Sequence, residues 1–204
     1  MRPMATTPIS AIPVCAARPD QPAMSVVVPA FNEAASLHQF LVALTAALAK
    51  LTDRWEVIVV DDGSTDATPQ VLQPWLQQAG VRALRLSRNF GKEAALTAGL
   101  DHAEGDVVVL MDADGQHPPS LLPEMIAIWR TGHVDIVEAV KTSRGEETLF
   151  SKVSAGLFYL LWNKLSGFEL RGASDYKLMS RQAVNAYLEM RERNVFFRGM
   201  TAWL

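Results

Sequence analysis

Apolar residues in this chain fall into two kinds of block. Short, mostly apolar runs, at 24–28, 55–60, 106–111 and 134–140, read as strands, as in a parallel sheet covered on both faces. A weaker run, Val81–Leu86, is interrupted by Arg82 and Arg85. Between the runs the spacing turns helical. Leu37, Phe40, Leu41, Leu44, Leu48 and Leu51 predict an amphipathic helix over 33–50, with Asn32 as its cap. Thr65 or Asp66 opens a second helix through about Gln78, which Pro74 should kink or cut short and Gly80 closes. A third, rich in Ala and Leu, covers 93–103, and Pro118 and Pro119 delay a fourth to 120–131.

The resulting order is βαβαβαβαβ with short connections. That is an α/β fold: a mostly parallel sheet with helices on both faces. Right-handed crossovers bring the carboxyl ends of the strands to one edge, where open α/β sheets bind ligands. After Val140 the pattern changes. Residues 141–147 are polar, and 149–166 form a helix with a stripe of Phe150, Val153, Leu157, Phe158, Leu161 and Leu165. The stripe packs on the core or lies at a membrane interface with Tyr159, Trp162 and Lys164 at headgroup level. A loop over 167–175, a short strand at 176–179 and a helix over 181–190 follow. Residues 196–204 are apolar apart from Arg198 and carry no cap, so the chain reads as cut. Residues 1–23 show no periodicity and read as a disordered leader.

Length and composition narrow this picture. At 204 residues and 49% hydrophobic, the chain suits one globular domain. Cys15 is the sole cysteine, so no internal disulfide or thiolate metal site can form, and a reducing compartment is expected. No uninterrupted apolar stretch of membrane-spanning length occurs, nor a signal-peptide core. The formal charge of −3 is unevenly spread. Residues 1–140 hold 9 Lys and Arg against 16 Asp and Glu, whereas 141–204 hold 10 against 6. The later part is suited to an anionic partner.

The chemistry sits at the strand ends. Oxygen-rich loops follow three of them, at Pro29–Glu33, Asp61–Asp66 and Asp112–Gln116. Crowded carboxylates repel, and a divalent cation with a nucleotide is a simple compensation. Asp112-Ala113-Asp114 offers hard oxygen ligands suited to Mg²⁺ or Mn²⁺ against a diphosphate. No Gly-x-Gly-x-x-Gly follows the first strand, and no P-loop occurs, which argues against a Rossmann dehydrogenase and a P-loop NTPase. Lys92 begins a helix, where the dipole opposes its charge, so an anion is expected there. Arg198 inside an apolar run also calls for an anion. His117 reads as a polar loop residue.

Five segments, in order, carry a resemblance: Val-Val-Val-Pro-Ala-Phe-Asn-Glu (26–33), Val-Ile-Val-Val-Asp-Asp-Gly-Ser-Thr-Asp (57–66), Ser-Arg-Asn-Phe-Gly-Lys-Glu (87–93), Asp-Ala-Asp-Gly-Gln-His-Pro-Pro (112–119) and Arg-Gly-Ala-Ser-Asp-Tyr-Lys-Leu-Met (171–179). Together they resemble family 2 glycosyltransferases of the GT-A fold, within them the polyprenyl-phosphate (dolichyl- or undecaprenyl-phosphate) sugar transferases. The resemblance implies a GT-A domain over 24–204, with a donor part at 24–140 and an acceptor part at 141–204. It also implies inverting transfer from a nucleotide-diphosphate sugar, UDP rather than GDP, to a polyprenyl phosphate at the cytoplasmic face of a membrane. Nucleic acid is not an expected partner.

By the same resemblance, Pro29, Ala30, Asn32 and Glu33 line the nucleotide pocket, with Asp61 near the base or ribose. Asp112 faces the ribose and diphosphate, Asp114 and Gln116 hold the Mg²⁺ or Mn²⁺, and Arg88 and Lys92 border the donor. Lys141, Arg144 and Arg198 grip the acceptor phosphate, and Asp175 sits beside the reacting centre; Asp175 and Asp114 are the catalytic pair. Gly115 departs from the family pattern, which has Leu or a similar apolar residue there, and such enzymes commonly continue into transmembrane helices. Two other readings stay open: a family 2 transferase with a glycan or soluble acceptor, and a nucleotide-sugar binding module without catalysis.

Overall fold

The structure, a computed structural model, describes residues 23–140 and 174–190. Six strands form one sheet: β1 Met24–Ala30, β2 Trp55–Asp61, β3 Val81–Arg85, β4 Val107–Leu110, β5 Ile136–Glu138 and β6 Lys177–Ser180, in the order β3-β2-β1-β4-β6-β5. Among the described residues five α-helices flank it: α1 Leu37–Leu48, α2 Thr68–Leu72, α3 Lys92–His102, α4 Leu122–Arg130 and α5 Arg181–Glu189.

The central strands are mostly apolar because their residues meet helices on one side or the other. Val26 and Val28 of β1, Val57 and Val59 of β2, and Val107 and Val109 of β4 pack with Leu37, Leu41 and Leu44 of α1 and with Met125, Ile126 and Trp129 of α4. The intervening Val27, Ile58, Val60, Val108 and Leu110 pack with Ala95, Leu96 and Leu100 of α3 and Val184 and Tyr187 of α5. A period of two along each strand thus builds two dry layers. β3 is an edge strand, and its arginines suit that place: Arg82 and Arg85 are exposed and guard against edge pairing.

The predicted elements are present, with four differences. α1 starts at Leu37 rather than 33, because Asn32 does not cap it. The chain first turns through Glu33, whose carbonyl accepts from the N–H groups of Ser36 (3.2 Å) and Leu37 (3.0 Å). The helix begun near Thr68 yields to a 3-10 turn at Gln73–Gln77 with Pro74 at its start, as the proline foretold. A 3-10 turn at Pro119–Leu121 likewise precedes α4. The strand expected over 134–140 shrinks to β5, which does not touch β4. β6 runs antiparallel between them, pairing Leu110 with Lys177 on one side and Glu138 with Lys177 on the other. The strand that ends the described chain therefore sits inside the sheet, next to the acidic loop of β4. The predicted elements in 1–22, 141–173 and 191–204 lie outside the described residues.

α3 crosses the sheet closely at Gly99, where an added Cβ would collide with Val27 Cγ1. Gly99→Ala is expected to lose about 1–3 kcal/mol through overpacking. Urea unfolding of the two proteins measures it, and an unchanged midpoint would contradict the packing described.

Candidate active site

β1 has β2 on one side and β4 on the other, so the connections leave in opposite directions between β1 and β4. That switch point opens a crevice at the carboxyl ends of the strands. Here a cleft of about 240 Å³ is lined by residues that include Pro29, Ala30, Phe31, Glu33, Asp62, Lys92, Asp112 and Asp114. Motifs far apart in the sequence meet in this one place.

Lys92 stands at its centre. The Nζ lies 2.7 and 2.8 Å from the two oxygens of Asp112, and 2.7 Å from Asp175 Oδ2. A lysine in the first turn of α3 opposes the helix dipole. Partial burial also disfavours its charge, but the two carboxylates outweigh that and hold its pKa above the ordinary lysine value. Lys92 is therefore a cation throughout the neutral range. The anion expected beside it is supplied by the protein itself.

The acidic loop after β4 is braced from below. His117 is buried, not a solvated loop residue; its Nδ1 accepts the backbone N–H of Asp112 at 2.9 Å. The imidazole stacks on Tyr176, with ring centroids 5.0 Å apart and planes at 21°. Tyr176 OH donates to the Pro118 carbonyl at 3.1 Å. Burial raises the Tyr176 pKa, so the phenol keeps the proton that it donates. Asp114 is exposed, and its Oδ1 accepts the Gln116 N–H at 2.8 Å. Gly115 between them has φ 77°, a left-handed turn that side chains resist, and space is open where a Cβ would stand. The departure from an apolar residue here goes with this tight turn.

The loops after β1 and β2 are knitted together. Asn32 has φ 58°; its Oδ1 accepts the Thr65 N–H at 2.9 Å and the Asp66 N–H at 3.3 Å. Ser64 Oγ accepts the Asn32 N–H, and Thr68 Oγ1 the Glu33 N–H. Asp66 accepts from the Thr68 hydroxyl and from the backbone N–H groups of Thr68 and Ala34. The Thr68 side chain leads in lowering its pKa. Asp61 is buried: Oδ1 accepts the Ser64 N–H at 2.8 Å, and Arg85 Nε lies 3.3 Å from Oδ2. Its neighbour Asp62 reaches the cleft and accepts the Phe90 and Gly91 N–H groups, both at 2.8 Å. Gly63, at φ 70°, lets the 87–91 loop lie against the turn, since a Cβ would fall 2.5 Å from the Arg88 backbone.

Of the residues singled out in the sequence, Pro29, Ala30, Glu33, Lys92, Asp112 and Asp114 line the cleft, and Asp175 joins them through Lys92. Asn32 holds the two loops together outside the cleft lining, and Asp61 lies beneath it. Arg88 is exposed with its guanidinium 4.8 Å from the Phe90 ring centroid, and Gln116 is exposed in the acidic loop. Lys141, Arg144 and Arg198 lie outside the described residues. Phe31, Asp62, His117 and Tyr176 went unremarked as site residues. All four fall within the segments that carry the family resemblance, and Asp62 also belongs to the acidic loop after β2.

Among the described residues no group of three or more His, Cys, Asp or Glu side chains could by itself hold a metal ion. The donor set still fits one kind of cation site. Asp114 lines the cleft with Oδ2 without a protein partner among the described residues. Mg²⁺ in phosphate-transfer sites is commonly held by one or two carboxylates plus substrate phosphates and waters. The residues match a cation that arrives with a diphosphate.

Asp62→Ala would leave the Phe90 and Gly91 N–H groups without their acceptor. A stability loss of about 1–3 kcal/mol is expected. Hydrogen exchange at these two amides should quicken, and unchanged exchange would show that Asp62 does not hold the loop.

Comparison with known proteins agrees with this geometry. An uncharacterized glycosyltransferase of Synechocystis sp. is 38% identical over 89% of this chain and 57% of its own length. A prophage bactoprenol glucosyl transferase homolog of Escherichia coli K12 is 36% identical over 89% of this chain and 60% of its own. The chain thus spans less than two thirds of either relative. Glucosyl-3-phosphoglycerate synthase from Mycobacterium tuberculosis, solved with Mn²⁺, UDP and glucosyl-3-phosphoglycerate, superposes with a TM-score of 0.61 at 25% identity, covering 79% of this chain and 58% of that one. Residues 25–189 match the glycosyl transferase family 2 domain, so the chain belongs to that family and has the GT-A fold.

Proposed function

We propose that this chain is the catalytic domain of an inverting glycosyltransferase that moves a sugar from a nucleotide-diphosphate sugar to a polyprenyl phosphate. The observation that carries the reading is the meeting of Asp112, Asp114, Lys92 and Asp175 at the strand switch point. The relative named for bactoprenol supports the lipid acceptor, and the neighbour solved with UDP and Mn²⁺ supports a nucleotide-diphosphate donor with a divalent cation. The lipid, together with a sole cysteine, fits work at the cytoplasmic face of a membrane.

The roles follow from the cleft. Phe31, 43% exposed on its wall, offers a ring face to the nucleobase, beside Pro29, Ala30 and Glu33. Asp112 takes the ribose and diphosphate side. Asp114 and Gln116 hold Mg²⁺ or Mn²⁺, which supplies charge neutralisation for the departing diphosphate. Lys141, Arg144 and Arg198 are assigned to the acceptor phosphate, because guanidinium and ammonium groups pair strongly with it. A phosphate monoester has its second pKa near about 6 and is mostly a dianion at neutral pH, so it attacks without a general base. Asp175 then orients the acceptor or stabilises positive charge developing on the sugar.

The test is transfer of labelled sugar from UDP-glucose and other UDP-sugars to a short-chain polyprenyl phosphate with Mn²⁺. Lipid-linked product is expected, with a loss of about a hundredfold or more in Asp114→Ala. Transfer only to a soluble phosphorylated acceptor would move the chain toward the synthase it resembles in fold, and nucleotide binding with no transfer would leave a binding module.

Asp175→Asn should lower turnover by a similar factor across the pH range. A base-type profile that recovers at high pH would instead make Asp175 a proton acceptor.

A further inference from the structure

Three consecutive residues just before β6, Ser174, Asp175 and Tyr176, are each fastened to a different part of the fold. The Ser174 N–H donates to Glu138 Oε1 on β5, and Glu138 Oε2 also pairs with Lys177 Nζ, a buried ammonium, at 2.9 Å. Tyr176 is held by the Pro118 carbonyl and the His117 ring below the acidic loop, and its carbonyl accepts the Ala139 N–H at 3.0 Å. These contacts fix the backbone on either side of Asp175. The Asp175 carboxylate is 12% exposed and meets Lys92 Nζ at 2.7 Å.

The two carboxylates that share this ammonium come from opposite parts of the chain. Asp112 follows β4 and Asp175 precedes β6; each has an oxygen 2.7 Å from the same nitrogen, so the two oxygens lie within twice that distance of each other. Without the cation they would repel and swing apart. Arginine preserves the charge and both contacts; glutamine preserves length and polarity but not charge.

We propose that Lys92 is the positioning residue for Asp175, an internal cation that keeps the acceptor-side carboxylate against the donor cleft and stays on it when the nucleotide binds. This rests on the transferase reading above, in which Asp175 works at the reacting centre. A lysine that merely grips the donor diphosphate would leave Asp175 when the nucleotide arrives. A positioning lysine would not.

Steady-state kinetics of the wild type, Lys92→Gln, Lys92→Arg, Asp175→Asn and Lys92→Gln/Asp175→Asn, with UDP and Mn²⁺ calorimetry on each, separate the two. Lys92→Gln should lower kcat by about tenfold or more with donor KM and UDP affinity little changed, and Lys92→Arg should recover most of it. The double variant should be no worse than the poorer single one. A raised donor KM at unchanged kcat, or additive losses, would overturn the proposal. A readout independent of turnover is the ¹⁵N resonance of the Lys92 ammonium. Asp175→Asn should shift it in both free and UDP-bound protein. A resonance that UDP moves alone, insensitive to Asp175 once the nucleotide is bound, would also overturn it. Wild type that binds UDP but transfers to no acceptor would defeat the transferase reading instead, and the resonance would still decide the place of Lys92.

Discussion

Carboxylates crowd one edge of this sheet, and everything at that edge follows from how each is compensated. Asp62, Asp66 and Asp114 are met by backbone N–H groups of their own or neighbouring loops. Asp61 is met by a backbone N–H and Arg85, while Asp112 and Asp175 share Lys92. The backbone-bonded acids serve as fasteners that shape the loops. The acids left with a side-chain cation or an open oxygen face the cleft or its rim, with buried Asp61 the exception. Acids that look alike in the sequence are thus sorted by the partner that compensates each.

The sequence showed the edge but not the sorting. Apolar runs ending in Asp were enough for a doubly covered sheet with acidic loops along one side. The partners were out of reach because they are long-range: Lys92 and Asp175 are 83 positions apart. Asp61 and Asp62 are adjacent and chemically alike, yet the pleat sends one beneath the cleft and the other into it. His117 looked like a polar loop residue because nothing local announces a stacking partner 59 positions later, just before β6. Asn32 looked like a cap because its type and place are those of caps. Its left-handed backbone turns it instead to Thr65 and Asp66.

The insertion of β6 between β4 and β5 was the main topological surprise, and it ties the site together. A sheet built only of βα units would have put β5 next to β4. With β6 there, the residue proposed to work at the reacting centre hangs from a strand hydrogen-bonded to the one that carries the acidic loop. Asp112 and Asp175 therefore stand at the ends of neighbouring, hydrogen-bonded strands of one sheet.

That arrangement bears on how such an enzyme could change over time. The Ala139 N–H bonds to the Tyr176 carbonyl, which pins these two points of the chain together. A segment whose ends are already pinned together can be lengthened or rewritten at little entropic cost, and the strands feel none of it. Change between these two points would leave the cleft and its internal cation as they are.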